Sequence, residues 1–241
     1  MNSKLSMEQT EKIQQNLDTN FLKIIAIICM VIDHIGKIFF PDNMVMAIIG
    51  RIAFPLFAYC AVVGCLYTKN TKKYIIRLLS FAVISQPFFV LAFHPTWTGF
   101  LENILVSNIF FTLVAGVLTV NALMNIKKHW WMILIVVAME LLIGLDYGFY
   151  GIILMVIFYL CRNKGWLSAL LTIVWMMWSA MFGDYLYIGS IGLDIQFFAV
   201  LALPLIYIHT NAKPHINKYF FYVFYPAHLL IIFIVRTMMK V

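Results

Sequence analysis

Asp33, His34 and Lys37 lie in the second half of an apolar run, Leu22 to Phe40 (LKIIAIICMVIDHIGKIFF), and are the first residues whose types and spacing could do chemistry. Asp33 and Lys37 are four apart, so on a helix they share a face and can touch, while His34 lies about 100° round. An imidazole works as a general base near neutral pH, and a carboxylate stabilises the imidazolium that forms. Arg51, Gln86 (beside Ser85), Asn108 and His228 are further polar residues inside apolar runs. Asp33 has a second reading, in which it balances Arg51 as a structural pair while Lys37 reaches outward.

The runs that carry these residues read as membrane helices. The 241 residues are 63% hydrophobic and 11% charged, with a mean hydropathy of +0.93, more apolar surface than one soluble core can hide. The expected fold is an all-α, polytopic integral membrane helical bundle. A hydrocarbon core about 30 Å thick takes about 20 helical residues, and on that length the chain divides into about nine spans, roughly 21–40, 44–67, 73–93, 103–124, 130–144, 147–161, 166–182, 192–209 and 218–238. The GLDYG break at 144–148 reads as a tight turn or a re-entrant bend. Residues 1–20 form a polar cytoplasmic tail with no signal peptide, and 21–241 a single transmembrane domain.

Charge in the links gives an independent orientation. Lys69, Lys72, Lys73, Lys127, Lys128, Arg162, Lys164, Lys213 and Lys218 fall in alternate links, whereas the intervening links carry Asp42, Glu102, Asp146 and Asp184 and no Lys or Arg. By the positive-inside rule the N-terminus is cytoplasmic, and an odd number of spans puts the C-terminus outside the cytoplasmic membrane. The +7 balance is accounted for by these links, and no nucleic-acid partner is expected.

With that orientation the polar residues share a level in the outer half of the bilayer, with His228 near mid-depth. A central Asp or Lys costs roughly 2.5–3.5 kcal/mol on insertion scales, so such groups face one another or a cavity. Pro55, Pro87, Pro204 and Pro226 lie within spans, and each removes one helical hydrogen bond; Pro55 frees the carbonyl of Arg51. Glu140 and Asp194 near span ends, and His94, His129, His209 and His215 in links or at ends, read as solvated groups. Trp97, Trp130, Trp131, Tyr185 and Tyr187 fit interfacial belts. Cys29, Cys60, Cys65 and Cys161 read as small core residues, and no ligand spacing points to a metal. A Walker loop, a dinucleotide fingerprint and a G-x-S-x-G elbow are all missing, which excludes the corresponding ATPase and hydrolase classes.

The segments LKIIAIICMVIDHIG, IGRIAFPLFAYCAVVG, RLLSFAVISQPFF, NIFFTL and FYPAHLLII follow in order from about Phe21 to Val235. Together they resemble the TraX family of membrane acetyltransferases. The family is named after a conjugation protein that N-acetylates the amino terminus of a pilin subunit, and it is distantly similar to larger multi-span acyltransferases that use acetyl-CoA. On that resemblance Asp33 and His34 match the DH pair, Arg51 the arginine that follows, and His228 the YPAH histidine. We assign Asp33, His34 and His228 to catalysis, and Lys37, Arg51, Gln86 and Asn108 to substrate or acyl-CoA binding. Acetyl-CoA is the expected co-substrate. A peptide N-terminus, an amino sugar or an envelope glycan is the expected acceptor, and the bilayer is the medium. Two other classes accommodate the same polar set: a proton-coupled transporter or permease, and a non-catalytic assembly factor.

Overall fold

A computed structural model describes residue 13 and residues 15–179, 185–188 and 191–240. Most of the tail expected at 1–20, Asp184, and the end of the run expected at 166–182 lie outside the described residues.

Short polar side chains set where the helices start. Asp18 caps α1 (Thr19–Phe39) by accepting from the Phe21 N–H, and Asn43 caps α2 (Met44–Arg51) at Met46. Asn70 and Thr96 do the same for α4 (Thr71–Phe93) and α5 (Trp97–Asn103). Asn108 caps α6 (Ile109–Met124), and Asn217 caps α12 (Lys218–Met239). Each satisfies an N–H that the first helical turn leaves without a partner. Between α2 and α3 (Ala53–Tyr67) only Ile52 departs from the α pattern. Pro55, which has no N–H to give the Arg51 carbonyl, lies one turn beyond that break.

Two compact units form, one from residues up to 67 together with 154–215, the other from 68–153 together with 216–241. In the first, α1 packs against α2 and α3. Tyr59, 2% exposed, anchors its core. The Tyr59 ring meets Phe158 edge to face at 5.5 Å, and its hydroxyl donates to the Asn16 carbonyl. This unit also holds α10 (Gly165–Ser179), a two-stranded antiparallel ladder of β1 (Tyr185–Ile188) and β2 (Ile191–Asp194), a 3-10 helix (Ile195–Ala202) and α11 (Leu203–Tyr207). In the second unit α4 packs on α6 and α12, and α6 on α8 (Trp131–Ile143). Tyr222 stacks on Phe81 at 5.1 Å, Tyr225 meets Phe110 edge to face at 5.0 Å, and Arg236 donates to the last carbonyls of α4 at Ala92 and Phe93. The short α7 (Ile126–His129) follows α6, and α9 (Gly148–Leu160) follows α8.

The described residues are helical apart from the one ladder and the connecting segments, as the sequence leads one to expect. Among the described residues three helical stretches are long and apolar enough to cross a membrane: Met44–Tyr67, which is α2 and α3 taken together, Thr71–Phe93 and Tyr219–Met239. Their exposed faces are themselves apolar, as are Leu141 and Leu142 on α8, each 77% exposed, a surface suited to lipid. This is a helical membrane protein. Further apolar helices are shorter, at 10–17 residues, whereas α1 has 21. The runs expected at 130–144 and 147–161 become α8 and α9 of 13 residues each, about 20 Å long. Gly144 and Gly148, at φ 55° and 47°, bound a tight turn between them. The run expected at 192–209 is α-helical only from Leu203; Pro204 sits in the first turn there, where a missing N–H costs nothing. Cys29, Cys60, Cys65 and Cys161 are free and buried.

Candidate functional site

In the first unit α1 and α2 meet through glycine. A Cβ on Gly50 would fall 2.5 Å from Cβ and Cγ of Asp33, and one on Gly36 would fall 2.9 Å from Cβ of Met46. The missing side chains let Asp33 lie directly against α2. There its Oδ1 receives Arg51 Nη2 at 3.0 Å and its Oδ2 pairs with Lys37 Nζ at 2.6 Å. Both carboxylate oxygens are held by cations, so Asp33 orients and neutralises charge. Arg51 extends the chain of contacts, with Nη1 donating to Gln196 Oε1 at 3.5 Å. His34, next to Asp33 on α1, is buried at 8% exposure.

Asp194 belongs to the same neighbourhood, and its burial corrects the expectation of a solvated group. It is 4% exposed because its Oδ1 caps the 3-10 helix at the Gln196 N–H, and that helix packs on α2. Its Oδ2 is buried with no hydrogen-bond partner among the described residues. The sequence signal was available: an Asp just ahead of an apolar helical run is a preferred N-cap, and a capping side chain turns towards the backbone instead of water.

In the second unit Gln86 and Asn108 join α4 to the start of α6. Gln86 Nε2 donates to the carbonyls of Ile104 at 3.0 Å and Val106 at 2.7 Å. Its Oε1 accepts from Asn108 Nδ2 at 2.8 Å and from the Asn108 N–H at 3.2 Å. Asn108 Nδ2 also donates to Ala82 O at 2.8 Å, one residue from the carbonyl that Pro87 leaves without its helical donor. The amide groups of both residues therefore bind the chain to itself. Ser85, fully buried beside them, has no partner for its Oγ among the described residues.

His228, also in the second unit, is 6% exposed. Its ring stacks on Phe224 at 5.4 Å and meets Tyr225 at 5.3 Å, and Nδ1 lies 3.0 Å from the Phe224 carbonyl. A carbonyl only accepts, so Nδ1 carries the proton of that bond and, in the neutral ring, Nε2 carries the lone pair. Of the six histidines only His34 and His228 are buried. The residues expected to act together thus fall into two sets, Asp33, His34, Lys37 and Arg51 in one unit and Gln86, Asn108 and His228 in the other. Among the described residues no cluster of His, Cys, Asp and Glu has the makings of a metal site.

Comparison with known proteins adds a family-level match. The model for the family described as "TraX protein" matches residues 18–236. The chain is 28% identical over 222 residues to a protein of Dichelobacter nodosus named probable fimbrial assembly protein FimC, serogroup H1, a similarity that covers 86% of this chain and 91% of that protein. It is 38% identical over 88 residues to an uncharacterized protein of Rickettsia prowazekii, which covers 36% of this chain and 32% of that one. No solved structure matches.

Proposed function

The chain belongs to the TraX family, and on that premise we propose that it is a multi-pass acetyltransferase of the cytoplasmic membrane. It moves an acetyl group from acetyl-CoA to an amine or hydroxyl of a membrane-associated or extracytoplasmic acceptor. The observation that carries this reading is His34, a buried imidazole next to a carboxylate whose two oxygens are already neutralised by Arg51 and Lys37. A buried imidazole of this kind can serve as a general base.

In the reaction, His34 or His228 takes the proton of the acceptor nitrogen or oxygen as that atom attacks the thioester carbonyl. The new amide or ester bond forms, the C–S bond breaks, and the proton passes to the departing CoA thiolate. Arg51 is the donor suited to the oxyanion of the intermediate. Nine crossings with a cytoplasmic N-terminus bring the basic links to the side where acetyl-CoA is found, and the acyl arm then enters the bundle from that side. The acceptor class is a peptide N-terminus, an amino sugar or an envelope glycan.

The test is incubation of the purified protein with radiolabelled acetyl-CoA and candidate acceptors, wild type against His34→Ala. CoA release or transferred label that requires His34 supports the transferase. Full activity of His34→Ala, with the variant folded in detergent, sinks the assignment. The name of the Dichelobacter relative favours a second reading, a membrane assembly factor without chemistry. That reading expects His34→Gln, and Asp33→Asn where the variant still folds, to leave function in the cell intact.

A further inference from the structure

A cleft of about 360 Å³ opens at the N-terminal end of α1, between residues 16–20 and the link 209–215. Both segments belong to the unit that holds Asp33 and His34. Side chains pin the link in place. Asn16 Nδ2 donates to the Leu205 carbonyl at 3.1 Å and the Thr210 hydroxyl at 3.0 Å, Asn20 Nδ2 donates to the Pro214 carbonyl at 3.1 Å, and the Lys213 N–H donates to Asp18 Oδ2 at 2.9 Å. That last bond accompanies a φ of 38° at Lys213, a left-handed conformation that costs a residue with a Cβ about 1 kcal/mol or more and is found where its surroundings over-determine it, often at ligand clamps.

This arrangement separates the charges of the cleft. Among the described residues that line the cleft the one carboxylate, Asp18, is buried and surrounded by donors: the Phe21 N–H, the Lys213 N–H and the Thr210 hydroxyl. The Lys213, His209 and His215 side chains are exposed at the rim, and none of them pairs with a carboxylate among the described residues. A lysine ammonium flanked by two exposed imidazoles is a surface for a phosphate ester.

Building on the acetyl-CoA reading above, we infer that this cleft takes the phosphorylated end of the acyl donor. Asp18 and His34 are sixteen residues apart on α1, about 24 Å along the helix axis. Only a ligand whose phosphates are separated from its reactive carbon by a long flexible arm bridges them, and coenzyme A is built that way. The thioester then runs along α1 from the cleft towards His34.

The test titrates the full-length protein, in nanodiscs of phosphatidylcholine, with CoA, dephospho-CoA and pantetheine. Wild type is compared with Lys213→Gln and Lys213→Glu, and thermal unfolding verifies that each is folded. CoA should bind at least tenfold more tightly than pantetheine and weaken with salt. Lys213→Glu should lose about tenfold for CoA, Lys213→Gln less, and neither should change for pantetheine. If the Lys213 variants unfold, His215→Glu, exposed on the same rim, takes their place. Equal binding of CoA and pantetheine, no CoA binding by wild type, or wild-type affinity in a folded Lys213→Glu overturns the inference. A second arm adds phosphatidylglycerol to the discs: lipid enrichment around the protein that depends on Lys213 while CoA affinity does not assigns the rim to headgroup phosphates and also overturns it. Phosphate-dependent CoA binding that requires Lys213, with no acetyl transfer, supports the cleft and removes the transferase reading. Transfer that requires His34, with a KM for acetyl-CoA indifferent to Lys213→Glu, does the reverse.

Discussion

Asp33 is held from two sides, and the two sides differ in strength. The Arg51 guanidinium is mostly buried against it, whereas the Lys37 side chain is 45% exposed. Removing one member of a buried pair leaves the other charge uncompensated, at about 3–5 kcal/mol, while an exposed i,i+4 pair is worth less than about 1 kcal/mol. Asp33→Asn and Arg51→Gln should therefore each lower the thermal midpoint strongly, and the double variant should lose clearly less than the sum. Lys37→Gln should change it little. Unfolding of the four variants and the wild type in detergent checks all of this, and simple additivity would show that the pair does not couple. Ser85 makes the opposite expectation: its Oγ has no partner among the described residues, so Ser85→Ala should be neutral or slightly stabilising in the same assay.

Gly50 shows how one element depends on another. A methyl at that position runs into Asp33, and the flanking helices cannot part without breaking the ion pair. Gly50→Ala should destabilise the protein by about 1–3 kcal/mol and lower transfer activity, as measured by unfolding and by acetyl-CoA turnover. Gln86→Ala and Asn108→Ala act between α4 and α6, so their loss should fall on the thermal midpoint with the KM for acetyl-CoA unchanged; a raised KM at an unaltered midpoint would mean that these amides reach substrate. Helix existence was legible in the sequence because apolar length reports it, and so were the starts at 44 and 218, where polar links end; the capping role of Asn108 went unread, and the run expected from 103 is continuous helix only from Ile109. The possible pairing of Asp33 with Arg51 was legible too, since two opposite charges in apolar runs need each other. What could not be read was the close approach at Gly50, which depends on a neighbour far along the chain, and the 3-10 course of Ile195–Ala202, which has the same apolar composition as an α-helix. Asp194 was misread for a related reason: proximity to the end of an apolar run says nothing about what packs over it.

For the molecule as a whole, the alternating charges of the links predict that its two ends lie on opposite sides of the membrane. A phosphatase reporter fused after Val241 should be active outside the cytoplasm, and one fused at the link 125–129 inactive; the reverse pattern would overturn both the orientation and the route proposed for the acyl arm. The four thiols bear on how such questions are asked. Cys29, Cys60, Cys65 and Cys161 are all buried, so a maleimide added to the folded protein should find almost no native target until detergent or heat opens it. A single cysteine introduced at Thr98 or Asn211, both exposed, would then be the only site to gain mass. The natural sequence is already its own blank for chemical footprinting.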